Sequence, residues 1–303
     1  YTEKCEAMRN FANKIWNASR FVMMNLTIDK CELPAADALA PEDKWVLSKL
    51  NTLVKEVTEN LDAYEIGVAS AKVYDFLWDT YCDWYIELTK TRLQGEDEGA
   101  KLAAQNVLCF VLTELLKLLH PFMPFITEEI YQALPHEEQF IMTSRWPEYR
   151  ADLAFPEEEA AMEAVMDTIK AIRARRAEMN VPPSKKAQLT VSTLERAVFE
   201  QGIPFLKRLA YASDVTVEGV TDAGSDDAMT AQGMVTVTTH AARLFMPLAE
   251  LVDLEKEKAR IEKELKKNRA ELDKLEAKLG NPGFVNKAPA HVVEAEQDRA
   301  EKL

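Results

Sequence analysis

The sequence predicts a mainly α protein: a helical bundle, then a small α/β unit, then an antiparallel coiled-coil hairpin cut short at the chain end. Three observations carry that expectation. Up to about residue 134 the chain reads as helix after helix. Between Ala187 and Leu248 four short stretches alternate or are β-branched, as strands are. From Leu251 to Leu279 a strict 3-4 repeat runs through Leu251, Leu254, Lys258, Ile261, Leu265, Asn268, Leu272, Leu275 and Leu279, seven of the nine being apolar. The domains expected are 1–150 for the bundle, 151–248 for a connecting helix with the α/β unit, and 249–303 for the coiled coil.

The elements follow in order. A first helix covers about 1–26. A second starts at "APEDKWV", with Pro41 in its first turn, where a missing N–H costs nothing. A third, about 64–91, carries "YDFLWDTYCDWYIELTK", whose Trp78, Tyr81, Trp84 and Tyr85 are core and rim. A fourth, about 98–119, is apolar and stops at His120-Pro121, because the residue before proline disfavours helix. "HPFMPFITEEIY" is a corner with Phe122, Met123 and Phe125 packed inward, and a short helix begins at Thr127 as its N-cap. A helix of about 156–180 starts with the solvated Glu157, Glu158 and Glu159, which suits the macrodipole, and ends basic. The strands are "AQLTVS", "DVTVE", "MVTVTT" and "ARLFMPL", with a helix of about 194–212 between the first two and an acidic loop bracketed by Gly219, Gly224 and Gly233. "GNPG" at 280–283 breaks the coiled-coil helix, and a second arm begins near Ala288. That arm is too short to cover the first, so the natural chain is expected to continue past Leu303; the start inside a helical pattern likewise suggests a fragment.

Composition bounds the function. The 303 residues are 47% hydrophobic, enough for a real core. A net charge of -14 argues against a generic nucleic-acid coat, though not against basic islands on an acidic surface. Four scattered cysteines form no CxxC pair and read as structural thiols in a reducing, cytoplasmic setting. No apolar run of membrane length is evident. Catalytic signatures are missing: His120, His136, His240 and His291 are isolated, no metal-ligand spacing occurs, and there is neither a GxGxxG nor a P-loop. No catalytic residue, metal or cofactor is therefore assigned to this chain.

The informative stretch is "RNFANKIWNASRFVMMNL", which holds four asparagines in eighteen residues although asparagine prefers caps and turns to helix interiors. At 100° per residue, Phe11, Ala12, Ile15, Ala18, Ser19, Val22 and Leu26 form an ordinary core face. Arg9, Asn10, Asn13, Lys14, Asn17, Arg20 and Asn25 form the other, with Phe21 and Met24 among them. No acidic residue lies between Glu6 and Asp29. Amides, cations and a ring are what unstacked nucleotides require: edge hydrogen bonds, phosphate neutralisation and a stacking surface. A polar face packed on another domain would show the same periodicity.

Two further basic islands stand out. "IKAIRARRAEMNVPPSKK" sets Lys170, Arg173, Arg175, Arg176, Lys185 and Lys186 against Glu178 alone, a density suited to phosphate contact or to a helix end satisfying its own dipole. The coiled-coil arm, with Lys263, Lys266 and Lys267, has eight Lys/Arg against five Glu/Asp between Lys258 and Lys278, a mixture any solvated coiled coil shows.

Taken in order, "RNFANKIWNASRFVMMNL", "DKWVLSKLN", "YDFLWDTYCDWYIELTK", "LLHPFMPFITEEIYQ", "IRARRAEMNVPPSKK" and the terminal hairpin resemble the C-terminal part of bacterial valyl-tRNA synthetases, class I aminoacyl-tRNA synthetases. The corner motif is shared with the isoleucine and leucine enzymes; the absence of a cysteine-rich terminal module and the coiled coil favour valine. The resemblance implies an anticodon-binding helical bundle, a small linking unit and a coiled coil that leans on the outer corner of the tRNA. It also implies that the ATP-using catalytic domain and the editing domain precede Tyr1. The chain is then expected to bind the anticodon arm of valine tRNA, without DNA or membrane as partner, as part of a monomeric parent. RNA contacts are expected at Arg9, Asn10, Asn13, Lys14, Asn17, Arg20 and Phe21, at Arg173, Arg175, Arg176, Lys185 and Lys186, and at Lys263, Lys266 and Lys267. The alternative is a helical and coiled-coil scaffold that recruits proteins and ignores RNA.

Overall fold

A computed structural model describes residues 2–220, 233–252 and 254–279. The chain divides into two compact units, Tyr1–Asp167 and Thr168–Leu303.

The first unit is the helical bundle. Helix α1 spans Thr2–Asn25 and α2 spans Pro41–Asp62. One helical run then covers Ile66–Leu93: α3 (Ile66–Asp75), a π-helical segment (Phe76–Tyr85) and α4 (Ile86–Leu93). Helix α5 (Glu98–Leu119) and α6 (Pro124–Ala133) complete the bundle, and α7 (Pro156–Glu178) begins in this unit. The core face expected of α1 is where it should be: Phe11, Ile15, Ala18, Ser19 and Val22 are buried.

Helix α5 is the central strut. It is long and apolar enough to cross a membrane, contrary to the sequence expectation of no such run, but most of its apolar window is buried inside the bundle. Its N-cap is Asp97, whose carboxylate accepts from the Ala100 N–H. Two of the buried polar groups on and around it are matched across elements. Tyr81 donates to the Leu108 carbonyl at 2.9 Å, and Gln105 Oε1 accepts from the Thr27 N–H and hydroxyl at 3.0 Å each.

The start of α2 is held by a buried ionic cluster. Asp43 accepts from the Ala40 N–H at 3.1 Å, from the Tyr85 hydroxyl at 2.7 Å and from two nitrogens of the Arg92 guanidinium. Glu42 lies 2.7 Å from Arg92 Nε. Two buried carboxylates thus share one guanidinium. Burial pushes the Glu42 carboxyl up to about 7, opposed by Arg92 and reinforced by Asp43.

Several local expectations are corrected. Helix α6 starts at Pro124, not at Thr127; the Thr127 hydroxyl is buried in its first turn and bonds the Met123 carbonyl. Phe125 is 90% exposed rather than packed inward. Glu158 and Glu159 are not merely solvated. They reach Lys44 at 2.8 Å and Ser48 at 2.7 Å on α2, and Lys44 holds the Glu158 carboxyl below its usual range.

The Ile66–Leu93 run has a feature the sequence reading missed. A stripe of its buried residues, Ala69, Val73, Leu77, Tyr81, Tyr85, Thr89 and Leu93, recurs at every fourth position. In an α-helix a step of four overshoots a full turn by about 40°, so six steps would carry the stripe about 240° around the axis. The π-helical segment, with i→i+5 bonds such as Ile86 N–H to the Tyr81 carbonyl, closes larger turns and cancels that drift.

The second unit takes up the rest of α7 and a four-stranded sheet of β1 (Ala187–Thr193), β2 (Ala212–Glu218), β3 (Met234–Thr238) and β4 (Ala242–Pro247), in the order β2-β1-β4-β3. β1 pairs parallel to β2, with Leu189 opposite Val215, and antiparallel to β4, with Val191 opposite Leu244; β3 pairs antiparallel to β4. The helix expected over 194–212 is two short ones, α8 (Arg196–Gln201) and α9 (Ile203–Leu209), parted at Gly202 where Pro204 opens the second. A four-residue turn of helix, α10 (Leu248–Leu251), precedes α11 (Leu254–Leu279), the first coiled-coil arm. The acidic loop around Gly224, the "GNPG" break and the second arm lie outside the described residues.

Candidate nucleic-acid interface

The polar face of α1 forms one wall of an open groove of about 450 Å³. Asn10, Asn13, Lys14, Asn17 and Phe21 line that wall, with Ala18 at its base; Cys82, Ile86 and Lys90 form the opposite wall. Five residues singled out from the sequence thus meet in one cleft, of a size that suits a single small ligand. Arg9 and Arg20 are exposed on the same helix, outside the groove lining.

The opposite wall is straight because of the π-helical segment. Tyr74, Trp78, Cys82, Ile86 and Lys90 recur every fourth residue alongside α1. The Tyr74 ring lies 4.2 Å from that of Phe11, and Trp78 stacks on both at 5.8 and 6.3 Å. Lys14 then sits 3.9 Å over the Trp78 ring and 2.6 Å from Asp83. At the far end the Lys90 ammonium lies 5.5 Å from the centre of the half-buried Phe21 ring and pairs with Glu87.

This wall sets the chemistry. Lys14 is oriented by a ring and a carboxylate, so its charge is fixed in place rather than waving in solvent. The Cys82 thiol is pushed up to about 12, chiefly by burial, with Lys14 opposing and Asp83 adding. It is a neutral apolar wall atom and no nucleophile. Asn25 turns back on its own helix, donating to the Phe21 carbonyl at 2.7 Å. The groove therefore offers three amides, two tethered ammonium groups and a ring.

The second basic island divides on inspection. Lys170, Arg173, Arg175 and Lys186 are exposed and Lys185 is half-buried, while Arg176 is only 3% exposed. Arg176 donates to the Pro182 carbonyl at 3.2 Å and to the Lys185 carbonyl, and its guanidinium lies 5.4 Å from the Tyr211 ring. Burial lowers its pKa. A guanidinium so enclosed is not offered to a phosphate; it closes the loop that carries Lys185 and Lys186. That loop turns at Asn180 and packs near Tyr211, both in left-handed backbone conformation (φ 53° and 58°). Arg173 donates from Nε to the Leu209 carbonyl at 2.7 Å, and Arg175 pairs with Glu178 at 3.0 Å.

On α11, Lys266 and Lys267 are exposed beside the half-exposed Leu265; the Lys263 side chain lies outside the described residues. Sequence reasoning missed Cys82, Ile86 and Lys90. The four-residue repeat that places them was there to be found, but it fits neither the helical nor the strand template.

Comparison with known proteins gives two family matches, the first of which begins after α1. Residues 43–191 match the family described as the anticodon-binding domain of tRNA ligase, and residues 253–303 match the valyl tRNA synthetase tRNA binding arm. The valine–tRNA ligase of Clostridium acetobutylicum is 51% identical over 306 residues, covering 99% of this chain and 34% of the relative. That of Clostridium tetani is 47% identical over 100% of this chain, and that of Carboxydothermus hydrogenoformans 45% identical over 98% of it. The chain spans about a third of the length of these curated relatives. With two separate family matches and identity along its whole length, the chain belongs to the valyl-tRNA synthetase family.

Proposed function

We propose that this chain is the tRNA-recognition portion of a valine–tRNA ligase. It binds valine-accepting tRNA so that a catalytic domain, using ATP, can aminoacylate it. The groove between α1 and the Cys82–Lys90 row takes one unstacked base of the anticodon loop. Phe21 supplies the stacking surface, and Asn10, Asn13 and Asn17 bond to base edges. Arg9 and Arg20, exposed beside the groove, neutralise neighbouring phosphates. Arg173, Arg175, Lys185 and Lys186 are a second phosphate-contacting group, and the arm of α11, with Lys263, Lys266 and Lys267, contacts the outer corner of the tRNA.

The observation that carries this reading is the convergence of three asparagines, a half-exposed ring and tethered ammonium groups in one groove. A core-packing helix face has no use for that set, and a protein-docking face would be expected to be more apolar. The test is titration with valine tRNA at several salt concentrations. Four to six phosphate contacts give a log–log slope of roughly -3 to -5. A flat response, or equal binding of an anticodon-swapped tRNA, favours the scaffold alternative.

A further inference from the structure

The π-helical segment and Lys90 together point to a positioning device within the groove, an inference that rests on the proposed function above. A ten-residue π-helix is uncommon, since π-turns occur mostly singly and often mark functional sites. Here it has a definite geometric consequence. The row Tyr74, Trp78, Cys82, Ile86 and Lys90 stays parallel to α1 over sixteen residues, from the Phe11 ring to the Phe21 ring. Were Ile66–Leu93 a regular α-helix, the same row would turn about 160° between Tyr74 and Lys90. With Tyr74 still on Phe11, Lys90 would then lie on the far side of its helix from Phe21.

The consequence for charge is local. Lys14 is held at the groove by Trp78 and Asp83, and Lys90 stands at the other end, 5.5 Å from the centre of the Phe21 ring. Lys90 is half-buried, and its partner Glu87 is on the same short helix, three residues earlier. Such a pair is weak and exchanges readily for a stronger anion. A phosphate carries more charge than the carboxylate and can approach from solvent.

We propose that the π-helical segment is a register device that delivers Lys90 to the groove, where its ammonium binds the phosphate of the nucleotide whose base stacks on Phe21. Lys90 thereby couples backbone contact to base stacking at a single nucleotide. The segment positions Lys90 and touches no RNA through its own buried Tyr81 and Tyr85.

The experiment uses the full chain and an RNA hairpin bearing a valine anticodon, with affinity read against salt. Three variants are compared with wild type: Lys90→Met, a deletion of Thr80, and the pair Lys90→Ala, Thr91→Lys, which moves the ammonium about 100° around α4. Lys90→Met is expected to weaken binding several-fold at low salt, and to reduce the slope by roughly 0.7–0.9, one phosphate's share. The relocated lysine should behave like Lys90→Met, although net charge is unchanged. Deleting Thr80 should cost the same Lys90 contribution, so that adding Lys90→Met to the deletion weakens binding no further. If the deletion variant loses its helical circular dichroism, the relocated lysine decides alone. Wild-type binding that is unchanged in affinity and slope by Lys90→Met, or fully restored by the relocated lysine, overturns the inference. Failure of the wild type to bind the hairpin overturns instead the proposed function on which it stands.

Discussion

Phe21→Ala separates a base-stacking ring from a core ring most sharply. Phe21 lies among the polar residues of α1, half-buried, with the groove on one side and its own helix on the other. Full burial would make truncation cost about 3–5 kcal/mol of stability, through lost transfer free energy and the cavity left behind. A ring that already borders an open groove leaves no enclosed cavity, and only part of its area returns to water, so the expected loss is about 1–2 kcal/mol. Stacking on a nucleobase is worth about 1–3 kcal/mol by the same substitution. The variant should therefore bind valine tRNA about 5- to 150-fold more weakly while the bundle melts only a few degrees lower. Equilibrium binding measured beside a thermal melt reads both numbers on one preparation. A large drop in melting temperature with unaltered binding per folded molecule would refute the assignment and return Phe21 to the core.

Three further outcomes follow from particular contacts. Asn17→Ala, on the groove wall, should reduce discrimination between valine tRNA and an anticodon-swapped tRNA more than it reduces total affinity, because base edges specify while phosphates position; competition binding measures the ratio. Glu42 holds its proton in the folded state up to about pH 7, whereas the unfolded chain releases it near 4.5, so this group's contribution to stability is greatest below about pH 4.5 and is lost as pH rises through 7. The change is on the order of 3 kcal/mol, and denaturant melts of Glu42→Gln from pH 5 to 8 should lack that downward slope. Arg176→Met should destabilise the second unit by about 2–4 kcal/mol, since two carbonyls lose a buried donor, and should weaken RNA binding through the displaced Lys185 and Lys186; hydrogen exchange at residues 180–186 reports the loosened loop.

Much of the fold was legible because its elements obey the simple periods. The buried stripe of α1, the start of α2 at Pro41, the bounds of α5 and all four strands follow from apolar spacing and proline alone. What was illegible has physical reasons. The π-helical segment answers to a repeat of four, midway between familiar templates, so a single helix was expected where two kinds alternate. Phe125 looked like core because it is a phenylalanine in a proline-bounded corner, but helix α6 begins one residue before it and turns it outward. Arg176 looked like its neighbours in a basic run, and only the fold of the 180–186 loop shows it facing inward. Of the groove, the α1 wall could be read as one face of one helix; the opposite wall, sixty residues further on, needed the tertiary structure.

The central claim is that an unstacked anticodon base enters the groove between α1 and the Cys82–Lys90 row. Valine tRNA carrying a photoreactive 4-thio-pyrimidine in its anticodon loop, crosslinked to the full chain and mapped by peptide mass spectrometry, tests it directly. The account predicts crosslinks within Asn10–Phe21 and Cys82–Lys90, abolished by an excess of unmodified valine tRNA and reduced by Phe21→Ala. Crosslinks confined to other surfaces, or none above the level of an unrelated tRNA, would contradict it.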